Sequence, residues 1–300
     1  MKIRLLSGSV YIALLAAFYL MKIFVPTYGA FCFDVLVYAF SLLGTREMLR
    51  AMGDKTTKAE RGIVTAFSIV CIPVVAVSEY FYGAGITAGA VCLFALGIVL
   101  LSLFVCKHEE STPENIGVAL LCAVYPTVLL CVLTLVNHAC VERGSPLFGV
   151  AFNSDLLILF VFVISPVADS LAYVFGRFLR KYFPKQMAPN ISPNKTVVGG
   201  IGGLIGGMLG ALVLYFAYNA VAGSFVDVGL WLPVYLVIGL FSAVATAFGD
   251  LVESCIKRKV GLKDMGKIMP GHGGVLDRID GTLFASIVVY FAFILLRAVL

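Results

Sequence analysis

Apolar residues run in nine long stretches separated by short polar ones: about 5–25, 27–44, 63–80, 85–106, 115–136, 154–175, 199–221, 232–249 and 283–300. Each is close to the roughly 20 residues an α-helix needs to cross hydrocarbon. A membrane β-barrel would instead alternate apolar and polar side chains in segments of about ten. The pattern predicts an all-α polytopic integral membrane protein with about nine transmembrane helices. No soluble domain, internal repeat or low-complexity tract interrupts it. The first stretch follows Lys2 and Arg4 as a signal peptide would, but it is long for one and lacks a clear small-x-small cleavage site. It reads as a retained helix.

Composition agrees, with 61% hydrophobic and 13% charged residues, where soluble domains carry about 25% charged. The placement of charge says more than the net value of +5. If the N-terminus is cytoplasmic, the tail and the connections after stretches 2, 4, 6 and 8 hold 19 of the 22 Lys and Arg. Lys22, Arg143 and Arg297 then lie on the far side. That asymmetry satisfies the positive-inside rule. It predicts a multi-pass membrane protein with its C-terminal polar segment in the cytoplasm, and a short chain with no long soluble N-terminal extension suggests a bacterial inner (cell) membrane form. The basic residues follow topology, so membrane lipids are expected partners and nucleic acid is not. The eight cysteines fall mostly within apolar stretches without C-x-x-C spacing and read as small packing residues.

The chain divides by character near residue 150. Residues 1–150 read as scaffold. Within them "GTREMLRAMGDKTTKAERG" looks like a basic, solvated loop at the headgroups, and Glu47 is an acid at a span end with no assigned partner. "NHACVERGSPLFGVAFNS" reads as an external loop without visible chemistry.

Residues 151–300 carry the chemistry. Asp169 sits in the second half of an apolar stretch, where an ionisable group is costly and points to a functional site. Tyr173 and Gly176 share its helix face, and a structural pairing of Asp169 with a cation is the alternative. "ISPNKTVVGG" combines a turn at Ser192–Pro193–Asn194 with Lys195 and a glycine-rich entry suited to close helix packing. "FGDLVESCIKRK" sets Asp250, Glu253, Ser254 and Lys257 on one helical stripe. "KDMGKIMPGHGGVLDRIDG" follows, with three aspartates, three cations, a histidine and five glycines in nineteen residues. Pro270 bars regular helix there, and Gly271, Gly273 and Gly274 allow positive φ and expose N–H groups to an anion. Asp277 and Asp280, three apart, face one way at the start of the last span. Carboxylates are hard ligands suited to Mg²⁺, which binds through one or two of them plus substrate phosphates. Interleaved acids and bases fit a metal bridging a polyphosphate, with Lys257, Arg258, Lys263, Lys267 and Arg278 taking the remaining charge.

The run from Ser254 to Asp280, "SCIKRKVGLKDMGKIMPGHGGVLDRID", resembles the signature of the phosphatidate cytidylyltransferases (CDP-diacylglycerol synthases). That signature is S-x-x-K-R, four residues, K-D, then P-x-H-G-G-x-x-D-R-x-D. "DSLAYVFGR" at 169–177 and "SPNKT" at 192–196 are also similar to the family. Two departures are small: Met269 replaces another apolar residue before Pro270, and Val198 stands where the family often has Glu.

The resemblance implies that CTP and phosphatidate give CDP-diacylglycerol and pyrophosphate. It implies Mg²⁺ (or Mn²⁺) on Asp250 and Asp277, with Asp280 as a ligand or neighbour, and leaves an accompanying monovalent cation and a homodimer open. Ser254, Lys257 and Arg258 would contact phosphates. Lys263, Asp264, His272 and Arg278, with the backbone of Gly273–Gly274, would bind CTP or the leaving pyrophosphate, His272 by hydrogen bonding rather than as a general acid. Asp169, Tyr173, Ser192 and Lys195 would complete the cavity. Two other readings are weaker. A CDP-alcohol phosphotransferase would need D-G-x-x-A-R and a further D-x-x-x-D, and a transporter would place its ionisable groups near the midplane on repeated, broken helices.

Overall fold

The computed structural model describes residues 2–25, 27–139, 153–222 and 228–299. The domain division near 150, most of the expected external loop and Arg143 lie outside these. Among the described residues, nine helical segments are long and apolar enough to span a membrane. The described chain forms two compact units, Met1–His138 with Lys259–Ile279, and Ala139–Arg258 with Asp280–Leu300.

The first unit begins with α1 (Lys2–Phe24), α2 (Gly29–Met52), α3 (Lys58–Tyr82) and α4 (Gly85–Cys106). Then α5 (Pro113–Ala123) and α6 (Leu129–His138) are joined through a π-helical turn at Val124–Val128 that contains Pro126. The hydroxyl of Thr127 in that turn meets those of Ser41 and Thr45 on α2, at 2.9 and 3.1 Å. Helix α2 does not stop where apolarity fades near residue 44. Its buried face continues through Gly44, Thr45, Met48 and Met52, a 3.6-residue period that keeps one side against the unit's core. The expected solvated loop is therefore largely helix. Its remainder is ordered by a capping box: Thr57 Oγ1 accepts from Glu60 N at 3.3 Å, and Glu60 accepts from Thr57 N at 2.7 Å. Elsewhere in the unit, Lys22 is buried and donates to Asn137 O at 3.0 Å. Asn137 in turn holds Asp34, which pairs with His138.

In the second unit α7 (Ser154–Leu179) packs along α8 (Val197–Ala222), followed by α9 (Val228–Lys259) and most of α10 (Leu276–Val299). Glycines set the distances. A Cβ on Gly206 would lie 2.9 Å from Ala168 Cα, and one on Gly239 would lie 2.6 Å from Ala211 Cβ, so these helices meet backbone to backbone. Between α7 and α8, β1 (Gln186–Ala188) pairs antiparallel with β2 (Ser192–Thr196), with Ala188 opposite Ser192 and Gln186 opposite Thr196. The sequence places a turn at Ser192–Pro193–Asn194, but those residues are strand. The reversal lies just before, where Ile191 N donates to Ala188 O at 3.2 Å. Pro193, which has no N–H, is tolerated because a two-stranded ribbon has only edges. Thr196 then caps α8, its Oγ1 accepting from Gly199 N at 3.1 Å.

Candidate active site

The signature run contributes to both units, and each part has its own geometry. In the first unit, residues 263–278 fold around a tight reversal. His272 N donates to Met269 O at 2.9 Å, and Gly271 has φ +77°. With Pro270 second and glycine third, this is a type II turn, whose third residue must have positive φ. Met269 N then donates to Gly273 O at 2.9 Å, closing the reversal, and Gly273 has φ +86°.

Two carboxylates hold this fold of chain. Asp277 Oδ2 accepts from Met265 N at 2.9 Å and Gly274 N at 2.8 Å. Glu47, only 4% exposed on α2, accepts from Val275 N and Leu276 N, each at 3.0 Å. These amides belong to the first turn of α10 and the residue before it, where N–H groups lack intrahelical acceptors. Gly44, one turn earlier on α2, lets Leu276 approach: a Cβ there would be 3.0 Å from its Cδ2.

The loop encloses a cavity of about 520 Å³ lined by Lys263, Lys267, His272 and Arg278, with Asp264 and Gly273 on its wall. Lys263, Asp264, His272, Gly273 and Arg278, all assigned from the sequence to substrate, thus line one cavity. Gly274 differs from its expected part as phosphate cradle, since its N–H is directed to Asp277. The anion-binding character of the cavity comes from its side-chain cations. His272 Nδ1 is 2.6 Å from Ser7 Oγ on α1, and that hydroxyl donates to Pro270 O at 3.0 Å. A hydroxyl has one proton, so its donation to the carbonyl makes it the acceptor from His272 Nδ1–H.

In the second unit, α9 carries Asp250, Glu253, Ser254 and Lys257 on one stripe. Ser254 Oγ donates to Asp250 Oδ1 at 3.2 Å, Lys257 Nζ donates to Glu253 Oε2 at 2.6 Å, and Lys195 forms an ion pair with Asp250. Arg258 is exposed and its Nε reaches Ile191 O at the tip of the β-ribbon, at 3.4 Å. Asp280 enters this cluster because α9 and α10 cross at glycines. A Cβ on Gly249 would be 2.5 Å from Asp280 O, and one on Gly281 would be 2.6 Å from Thr246 Cγ2. Asp250, Glu253 and Lys257 all stand near enough to act on the charge of Asp280. Ser192 lies at the start of β2, at the far end of that strand from Thr196. Asp169 and Tyr173 are exposed on α7, where Tyr173 accepts from Arg177 Nη1 at 2.9 Å.

The donor set of Asp250 and Asp280, hard oxygens of like charge brought close with cationic neighbours, fits a divalent cation. Among the described residues no three His, Cys, Asp or Glu side chains gather into a metal-ligating group. Asp277 also serves the first unit's loop through Oδ2. Sequence reasoning singled out Glu47 but gave it no partner, and it missed Gly44, Gly249 and Ser7. The apolar period of α2 running past residue 44 was a readable signal for Gly44.

Comparison with known proteins gives the same direction. The family model described as "Cytidylyltransferase family" matches residues 2–296. A phosphatidate cytidylyltransferase of Bacillus subtilis (strain 168) is 32% identical over 296 residues, 97% of each chain. Proteins of that name from Staphylococcus saprophyticus and Staphylococcus aureus (strain COL) are each 43% identical, over 127 and 129 residues. Those matches cover 42% of this chain and 45% of each relative. With its model spanning nearly the whole sequence, the chain belongs to the cytidylyltransferase family.

Proposed function

We propose that the protein is a phosphatidate cytidylyltransferase, converting CTP and phosphatidate into CDP-diacylglycerol and pyrophosphate. The carrying observation is that the signature run of this family folds a cavity lined by three cations and a histidine. A CDP-alcohol phosphotransferase and a transporter, the alternatives raised by the sequence, belong to other families.

In the reaction the phosphate of phosphatidate attacks the α-phosphorus of CTP. A P–O bond forms there, and the bond to the β-phosphate breaks to release pyrophosphate. The nucleophile is already ionised, so no activated Ser or Cys is required. What the protein supplies is position and charge. Lys263, Lys267 and Arg278 neutralise the triphosphate and the pyrophosphate as it departs. His272, held by Ser7, contributes hydrogen bonds rather than a proton. On the second unit Lys195, Ser254 and Lys257 contact phosphate oxygens, exchanging part of their bonding to Asp250 and Glu253. Arg258, Ser192, Asp169 and Tyr173 flank the substrates. Asp250 and Asp280 would hold Mg²⁺, and Asp277, one turn earlier on α10, would be a further acid of the signature. When bound, the ion offsets charge on the triphosphate. The protein works in the cell membrane with this chemistry facing the cytoplasm, the side where its Lys and Arg collect.

The test uses purified protein in detergent–phosphatidate micelles with labelled CTP. Labelled CDP-diacylglycerol is expected, lost on chelation and restored by Mg²⁺. Absence of labelled lipid with both substrates and Mg²⁺ present rejects the reading, and product persisting after full removal of divalent cations rejects the metal assignment.

A further inference from the structure

A buried carboxylate on α2 stands against the first turn of α10 without belonging to the signature run. Both oxygens of Glu47 are engaged by backbone, one by Val275 N and the other by Leu276 N, at 3.0 Å each. Its carboxylate also determines the loop sequence. A Cβ on Gly274 would lie 2.5 Å from both Glu47 oxygens, and one on Gly266 would lie 2.6 Å from Glu47 Cδ. Distances under about 3 Å are closer than a side-chain carbon can approach. Two glycines of the loop, Gly266 and the signature's Gly274, are therefore required by Glu47 itself.

We infer that Glu47 is a positioning residue of the cytidylyltransferase site, an internal anion that occupies the N-terminus of α10 and thereby shapes the neighbouring cavity. A helix N-terminus attracts anions through its unsatisfied N–H groups and its dipole. Here an anion of the protein's own already fills that position. The triphosphate is directed instead to the cations of the cavity wall, Lys263, Lys267 and Arg278. Glu47 fixes the point at which the loop joins α10, and Asp277 Oδ2 fixes the loop's return through Met265 N and Gly274 N. Removing the Glu47 anchor frees the 264–275 loop to move relative to α2. A displacement of about 1 Å in a positioned site costs on the order of 100-fold in rate.

The kinetic part of this inference rests on the proposed reaction, so the test has an arm that needs no substrate. Glu47→Gln keeps the shape but offers one acceptor to two N–H groups. Hydrogen–deuterium exchange of the full protein in detergent is expected to quicken at residues 264–276 and to stay unchanged across the rest of α2. Unchanged exchange at 275–276 overturns the inference whatever reaction the protein catalyses. In the kinetic arm, Glu47→Ala and Gly274→Ala are each expected to lower kcat/KM for CTP about 100-fold while KM for phosphatidate stays within about twofold. The double variant is expected to be no worse than the poorer single one, because the added methyl enters the space the carboxylate left. Losses that multiply, or an equal rise in both KM values, overturn the positioning role. If Glu47→Ala yields no folded protein, the cycle is run with Glu47→Gln. There the amide still crowds Gly274, and losses that multiply are the expected result, with sub-multiplicative losses counting against the steric part.

Discussion

Lys257 looks from the sequence like a cation waiting for phosphate, and the structure gives it a second task. Its ammonium donates to Glu253 Oε2 at 2.6 Å, and Glu253 is 0% exposed. Removing one partner of a buried pair strands the other charge, at a cost of about 3–5 kcal/mol. Lys257→Met is therefore expected to lower the thermal unfolding midpoint in detergent as well as activity. The double variant Glu253→Gln/Lys257→Met is expected to regain most of the stability and none of the activity. Full activity in the double variant would remove Lys257 from the chemistry. At this scale the acids and bases of the C-terminal half were legible because a charged side chain stands out in an apolar chain. Glu47 was visible too, but its role was not. Its partners are backbone N–H groups some 228 residues away, which almost any residue would supply, so no letter of the sequence marks them.

Among the described helices, hydropathy located each long span and misjudged where several end. It reports the part of a helix that faces lipid or core on all sides. α2 and α9 continue to Met52 and Lys259, the buried face of α2 running to Met52 and that of α9 to Glu253, while the opposite face becomes polar. That extension matters, since α9 carries Asp250 to Lys257 on continuous helix and α2 carries Glu47. The β-ribbon at 186–196 was not foreseen, because three- and five-residue strands leave almost no periodic signal. Glycine roles were legible only in aggregate. The run in α8 announces close packing, whereas the isolated Gly249 and Gly281 do not, although their crossing brings Asp280 beside Asp250. Gly249→Ala is expected to destabilise the protein by about 1–3 kcal/mol, as overpacking does, and to cut activity further by moving Asp280. A normal melting temperature with normal turnover would show that the crossing tolerates a methyl group.

At the scale of the molecule, the nine spans among the described residues follow from apolar length alone, and their orientation rests on charge, the weaker signal. Three exposed positions of the first unit test it. Asp54 lies between α2 and α3, Gly83 between α3 and α4, and Lys267 in the signature loop. In the proposed orientation, with positive charge near Asp54 and Lys267 and none near Gly83, the first two would lie in the cytoplasm and the third on the opposite face. In a background whose native cysteines are replaced, Gly83→Cys is expected to react with a membrane-impermeant maleimide in intact cells. Asp54→Cys and Lys267→Cys are expected to react only after the membrane is opened. Labelling of position 267 in intact cells would reverse the orientation and detach the cavity from the compartment that holds CTP. Protection there, together with labelling at 83, would put the site where its nucleotide is.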